Sequence, residues 1–406
     1  MSESNPFGGG PLDDLMRNLA RLFTSSGPVN WEIAQQMAVY GASSGVSEAN
    51  PDPLARVRLD DLLRVADLQV SEATGMATST GGVLRVQAAT RVEWARRTLD
   101  AWRPLLERLA GAMGDAGGGL GGLGGLFGDT AGGSVPGEDA GGDPMSQLFA
   151  NLPQVLGPFL FGMQVGAMVG DLASKAMGQY DLPMPRPAND ELLLVPATID
   201  GFANDWSLPL DDVRLWVCLR EVTHHAILSR PHIRARIDDL LGQYAGAFHP
   251  DPQALGERLA GLDPTDMGAL QSALGDPESL LGELQSDEQR RIQAPLQGLL
   301  SVITGYSDHV MRHVGGRLIG SYSLLTEALH RRRLEEGQGQ RLLAKLLGFH
   351  LDEAGYARGQ AFIDGVVERA GEEALGRLWR SERELPTPAE VDAPGLWLAR
   401  IDLPTD

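Results

Sequence analysis

Along most of the chain apolar residues return every three or four positions, the spacing that stacks side chains on one face of an α-helix. Leu12, Leu15, Leu19, Leu22 and Phe23 predict a first helix over 12–23. Gly27-Pro28-Val29-Asn30-Trp31 breaks it, and Asn30 is placed to cap a second helix carrying Trp31, Ile33, Ala34 and Met37. The same period over 53–74 and 91–113 predicts two more helices, separated by a Gly/Ser/Thr stretch in which Val83-Leu84-Arg85-Val86-Gln87 reads as a short strand.

The most apolar segment runs from Leu152 to Met177. Pro158, Gln164 and Asp171 interrupt it, and its uncharged run falls near or below the roughly 20 residues a bilayer needs, so a buried core helix is predicted and no transmembrane segment. Gly162, Gly166 and Gly170 recur at four-residue steps on one face, where missing side chains permit close helix packing. A Pro-rich turn over 181–187 and a short apolar strand over 191–195, ending at Pro196, follow. Helices are then predicted over 211–228, 233–244, 294–314, 318–333 and 352–370. Thr387-Pro388-Ala389-Glu390 supplies an N-cap, a first-turn proline and a capping-box acid for a last helix toward Trp397. The fold class is therefore mainly α, a multi-helix domain with a few short strands plus a helical N-terminal region.

Composition changes this picture in one place. The 51 glycines are not spread evenly, and residues 114–143 carry too little side-chain volume to offset ordering entropy. The chain divides into a lead-in over 1–11, a helical region over 12–113, a Gly-rich linker over 114–143 and a helical domain over 144–406. The linker lacks a Gly-Lys-Ser/Thr step and a preceding strand, so it is not a phosphate-binding loop. With 34 basic against 54 acidic residues the net charge is -20, which disfavours nucleic acid as a partner and leaves an unknown peptide or protein. Cys218 is the only cysteine, so no intramolecular disulfide forms; with no basic-then-apolar leader at the start, a cytoplasmic location is expected.

Candidate chemistry concentrates in Leu215-Trp216-Val217-Cys218-Leu219-Arg220-Glu221-Val222-Thr223-His224-His225. In a zincin helix two histidines one turn apart bind zinc, and the Glu beside the first polarises the metal-bound water. Glu221 and His224 keep the Glu-to-second-His spacing, while Arg220 stands at the first ligand position and offers no lone pair to a cation.

On these residues the chain resembles the actinobacterial zincin-like metallopeptidase family of zinc-dependent metalloproteases or hydrolases, whose relatives include proteins named for deazaflavin-cofactor biosynthesis. The resemblance also draws on Gly27 to Trp31, the glycine-spaced helix running to Tyr180-Asp181-Leu182-Pro183-Met184-Pro185, and Val366 to Trp397 with Glu384-Leu385-Pro386-Thr387 inside it. It implies zinc as cofactor, Glu221 as general base and His224 as a metal ligand. The stretch Leu299 to Met311 resembles a downstream helix that carries a Glu-Gly-His-like sequence in intact relatives; here Thr304 and Tyr306 stand at those positions.

Two readings stay open. His309 and His313 are four apart, a spacing that lets two imidazoles share one ion, and His224 or Glu221 could complete a rebuilt site if the two helices pack together. Alternatively, Arg220 with Glu221 or His224 forms a buried polar cluster in place of the ion, and the chain is a non-catalytic binding or scaffold protein on the same fold. No Gly-x-Ser-x-Gly elbow occurs, and nothing around Cys218 activates a thiolate. Arg331-Arg332-Arg333 reads chiefly as a solvated helix end, with anion or partner docking as the lesser alternative.

Overall fold

The computed structural model describes residues 27–115, 144–187, 189–247, 286–334 and 337–403. The helix predicted over 12–23 and the Gly-rich segment from residue 116 onward lie outside them. Helix α1 (Trp31–Ser43) starts where expected: the Asn30 side chain accepts a hydrogen bond from the Ile33 N–H at 3.1 Å, satisfying one orphan donor of the first turn. Helices α2 (Pro53–Thr74) and α3 (Arg91–Asp115) flank the short strand β1 (Arg85–Ala88). The long helix α4 (Pro144–Lys175) follows, and strand β2 (Glu191–Leu194) pairs in parallel with β1, Val86 lying opposite Leu192.

Gly162, Gly166 and Gly170 form the seam between α4 and α1. A Cβ at Gly162 would run into the Asn30 carbonyl and one at Gly166 into the Ala34 carbonyl; at Gly170 it would lie 2.9 Å from the Gly41 Cα. The facing positions on α1 are themselves small, Ala34, Ala38 and Gly41, so the two backbones come almost into contact. Among the described residues no helix is long and apolar enough to cross a membrane.

Pro196 ends the strand and opens a further helix, α5 (Pro196–Asp205), where a missing N–H costs nothing. Helix α6 (Leu210–Leu228) is exposed at Asp211 in its first turn but almost wholly buried from Val213 onward, so its polar residues Glu221, Thr223, His224 and His225 lie in the interior. Helix α7 (Pro231–Gly246) precedes α8 (Asp287–Val310), which opens with a capping box between Ser286 and Gln289. The helix predicted to reach residue 314 changes character at Met311–Gly315, a single π-helical turn.

The single helix predicted over 318–333 is interrupted. The chain unwinds at Ile319, whose ψ is 114°, and restarts as α9 (Tyr322–Leu334) because Ser321 donates both its N–H and its hydroxyl to Asp212, at 2.8 and 2.7 Å. Helices α10 (Gln338–Leu347) and α11 (Glu353–Ala370) come next, then 3₁₀ turns at Glu372–Trp379 and Glu382–Glu384. The Thr387 capping box is present, but the last helix is split into α12 (Pro388–Asp392) and α13 (Pro394–Ile401), since Pro394 has no N–H to continue the ladder. Buried residues from α1 through α13 form one continuous core.

Helices α8 and α11 cross at Gly305 and Gly359, where a Cβ on Gly359 would penetrate the Ser301 carbonyl. Gly359→Ala is therefore expected to lower unfolding stability by about 3 kcal/mol, because backbone rather than a flexible side chain must move. Gly376→Ala, with nothing within 4 Å of its added methyl, serves as the control. Denaturant melts of both variants check this; equal midpoints would contradict the close crossing.

Candidate functional site

The polar residues of α6 are met by one turn, Gly178 to Asp181, which follows α4. A Cβ on Gly178 would sit 2.6 Å from Glu221 Oε1, so the carboxyl lies directly against this backbone. Trp94 Nε1 donates to the Gly178 carbonyl at 2.8 Å and pins the turn from the side of α3. The Tyr180 N–H donates to Glu221 Oε2 at 2.8 Å, and the Tyr180 hydroxyl bonds His225 Nδ1 at 3.1 Å. Asp181 takes the next place: its Oδ2 accepts from the Met177 N–H at 2.7 Å, while Oδ1 and its carbonyl accept from the Arg220 guanidinium at 3.1 and 3.3 Å. Arg220 also lies over the Trp216 ring, 5.5 Å from its centroid.

Arg220 therefore does not pair with Glu221 or His224, the partners expected from sequence. Those lie along the same helix, whereas Asp181 offers a two-point grip from a separate segment. His224 Nδ1 bonds the Arg220 carbonyl one turn back, at 3.0 Å. That leaves His224 Nε2 and Glu221 Oε1 buried without a hydrogen-bond partner. Burial, reinforced by the Asp181 charge, pushes the Glu221 carboxyl up to about 8, so it carries its proton at neutral pH. Burial and the nearby Arg220 charge hold His224 well below the ordinary imidazole value, and burial takes His225 down to about 4. Tyr180 is pushed up to about 12 by burial, and burial likewise raises the Cys218 thiol, which rules it out as a nucleophile.

Two cavities flank this region. The larger, about 470 Å³, is lined by both Arg220 and Thr304, so two of the substituted ligand positions face one space. Thr304 spends its hydroxyl on the Leu300 and Ser301 carbonyls. Tyr306, His309 and His313 line the second cavity, about 300 Å³, beside Glu372 and Glu373. Tyr306 packs edge-on against Trp379, and His309 Nε2 lies 3.9 Å from Glu372. The structure does not bring His309 and His313 into either the larger cavity or a metal-holding group with His224 or Glu221, because their helix turns them toward the 3₁₀ segment.

The zinc ion expected of a zincin can be tested against these donors. His224 Nε2 is free to donate a lone pair, but a structural or catalytic zinc takes three or four protein ligands. At the neighbouring ligand position stands a guanidinium tied to Asp181, and among the described residues no group of three or more His, Cys, Asp or Glu is arranged to hold a metal. The described residues do not by themselves fit the ion.

The sequence reading gave no site role to Tyr180, Asp181 and Arg186: Tyr180 stood only in the stretch following the glycine-spaced helix, and Asp181 and Arg186 in the Pro-rich turn over 181–187. Arg186 is buried, donates to Thr98 at 2.7 Å and lies over Trp94, with burial lowering it to about 10. Charged residues packed among prolines were the available signal. Of Arg331 to Arg333, read as a solvated helix end, Arg331 is exposed and paired with Glu327 as that reading expects, while Arg332 lies over Phe202 at 5.4 Å and Arg333 over Tyr356 at 4.7 Å, and these two line the larger cavity.

These shifts give a pH dependence. Between about 4.5 and 8 the folded protein holds the Glu221 proton more tightly than the unfolded chain, so this group's contribution to stability falls as pH rises through that window and levels off above it. His224 and His225 act oppositely, since both are kept neutral by folding and lose stability as pH falls below 6.5. Glu221→Gln is expected to gain stability over the parent progressively from about pH 6.5 to 8. Denaturant midpoints measured across that range check it, and parallel profiles for the two proteins would exclude a proton-holding Glu221.

Comparison with known proteins bears on the fold and the family. No curated protein sequence matches the chain. A crystal structure described as "a putative hydrolase with a novel fold", from Chloroflexus aurantiacus, superposes with a TM-score of 0.62 at 22% identity, covering 93% of this chain and 100% of that one. At that identity the likeness concerns the fold. The sequence profile of the zincin-like metallopeptidase family matches residues 29–398, nearly the whole length, and the chain belongs to that family.

Proposed function

We propose that this member of the family uses its cleft to bind a ligand and does not hydrolyse peptides through zinc. The observation that carries the reading is Arg220, a permanent cation at the first ligand position, tied to Asp181 and facing the same cavity as Thr304. A guanidinium there occupies and neutralises the space where a dication would sit in an intact zincin. The burial of Glu221 agrees, because a protonated carboxyl sealed from the cleft cannot draw a proton from water.

One observation favours the hydrolytic alternative. His224 Nε2 and Glu221 Oε1 are both buried without partners, a costly arrangement that an ion or a bound water would relieve. In that reading Glu221 is the general base and His224 the retained ligand.

Metal analysis of protein purified without chelator separates the two. The binding reading expects well under one zinc per chain, no peptide cleavage, and a rise in zinc affinity of about tenfold or more in Arg220→His, which restores the missing imidazole. One zinc per chain lost in His224→Ala, with cleavage abolished in Glu221→Gln, would overturn it.

A further inference from the structure

The charge of the larger cavity runs against that of the protein. The chain carries 54 acidic residues against 34 basic ones, yet this cavity is lined by Arg91, Lys175, Arg220, Arg332 and Arg333. Its carboxylates are fewer, namely Asp171, Asp181 and Asp205. The second cavity shows no such bias, since its charged lining consists of Glu372 and Glu373 beside two histidines. A cationic recess in an acidic molecule concentrates anions locally while the remaining surface repels them.

The cations are also held in place. Arg220 is gripped by Asp181 and stacked over Trp216, Arg333 pairs with Asp308 at 3.5 Å over Tyr356, and Arg332 lies over Phe202 while donating to the Lys175 carbonyl. Guanidinium groups fixed on aromatic faces keep their charge and lose little entropy when they meet a ligand. Trp206 and Phe349 add flat apolar wall, and about 470 Å³ suits a small organic molecule.

We propose that this cavity binds an organic oxyanion, a carboxylate or phosphate carried on a flat apolar body. The inference deepens the binding reading and rests on it. Calorimetric titration of the full chain with naphthoate, naphthyl phosphate and the neutral isostere naphthamide tests it. Both anions should bind, the amide should bind at least about tenfold more weakly, and the stronger anion identifies the headgroup. Lys175→Glu and Arg332→Glu should each weaken the anions by about tenfold and leave the amide unchanged, with Lys175→Gln giving a smaller loss should a charge reversal disturb folding. Equal affinity for amide and anions, charge reversals without effect, or no binding of any probe would overturn the proposal. These outcomes are separable from the failure of the non-hydrolytic reading, which is decided by zinc seated on His224 and not by the anion preference.

Discussion

The interior of this protein depends on a few hydrogen bonds between the Gly178 to Asp181 turn and one face of a largely buried helix. A helix buried all round is normally apolar, because each polar side chain carried inside loses its water. Helix α6 instead takes Glu221, His224 and His225 into the core, and the turn returns partners to two of them: the Tyr180 N–H for Glu221 and the Tyr180 hydroxyl for His225. Asp181 does the same for Arg220 at the edge. The turn must lie flat on the helix to do so, which accounts for glycine at 178, where any side chain would meet the Glu221 carboxyl.

The surrounding helices hold that contact in register by approaching unusually closely at small residues. Glycines set the α1 to α4 seam and the α8 to α11 crossing, and the second crossing lies beside Thr304 and so fixes one wall of the cleft. The cleft is thus shaped by backbone contacts, while its chemistry is set by long cationic side chains laid over aromatic rings. Backbone supplies the close approach, and the Arg220, Arg332 and Arg333 guanidinium groups lie over Trp216, Phe202 and Tyr356.

Most helices were legible in the sequence because local signals mark them: the Asn30 cap, the Thr387 capping box and the four-residue glycine step each appear in the structure with the role their spacing implies. What escaped was non-local. The break at Ile319 is made by Asp212, from a helix far away in the chain, and the partner of Arg220 is Asp181 rather than a neighbour on its own helix. The π turn at Met311–Gly315 has no signature in hydrophobic spacing, yet it carries His313, while His309, whose four-residue separation from it suggested a shared ion, stays on the preceding α-helix. Periodicity reports which face of a helix is buried; it does not report which polar group waits on the other side.

The parallel pairing of β1 with β2 has a consequence for how the molecule assembles. The strands lie about a hundred positions apart in sequence, so joining them closes a large loop before any contact offsets the lost freedom. The Met177 carbonyl accepts from the Val195 N–H just past β2, which links the turn above Glu221 to that long-range ladder. The turn is thus tied both to the buried helix and, through Met177, to a pairing of strands far apart in the chain.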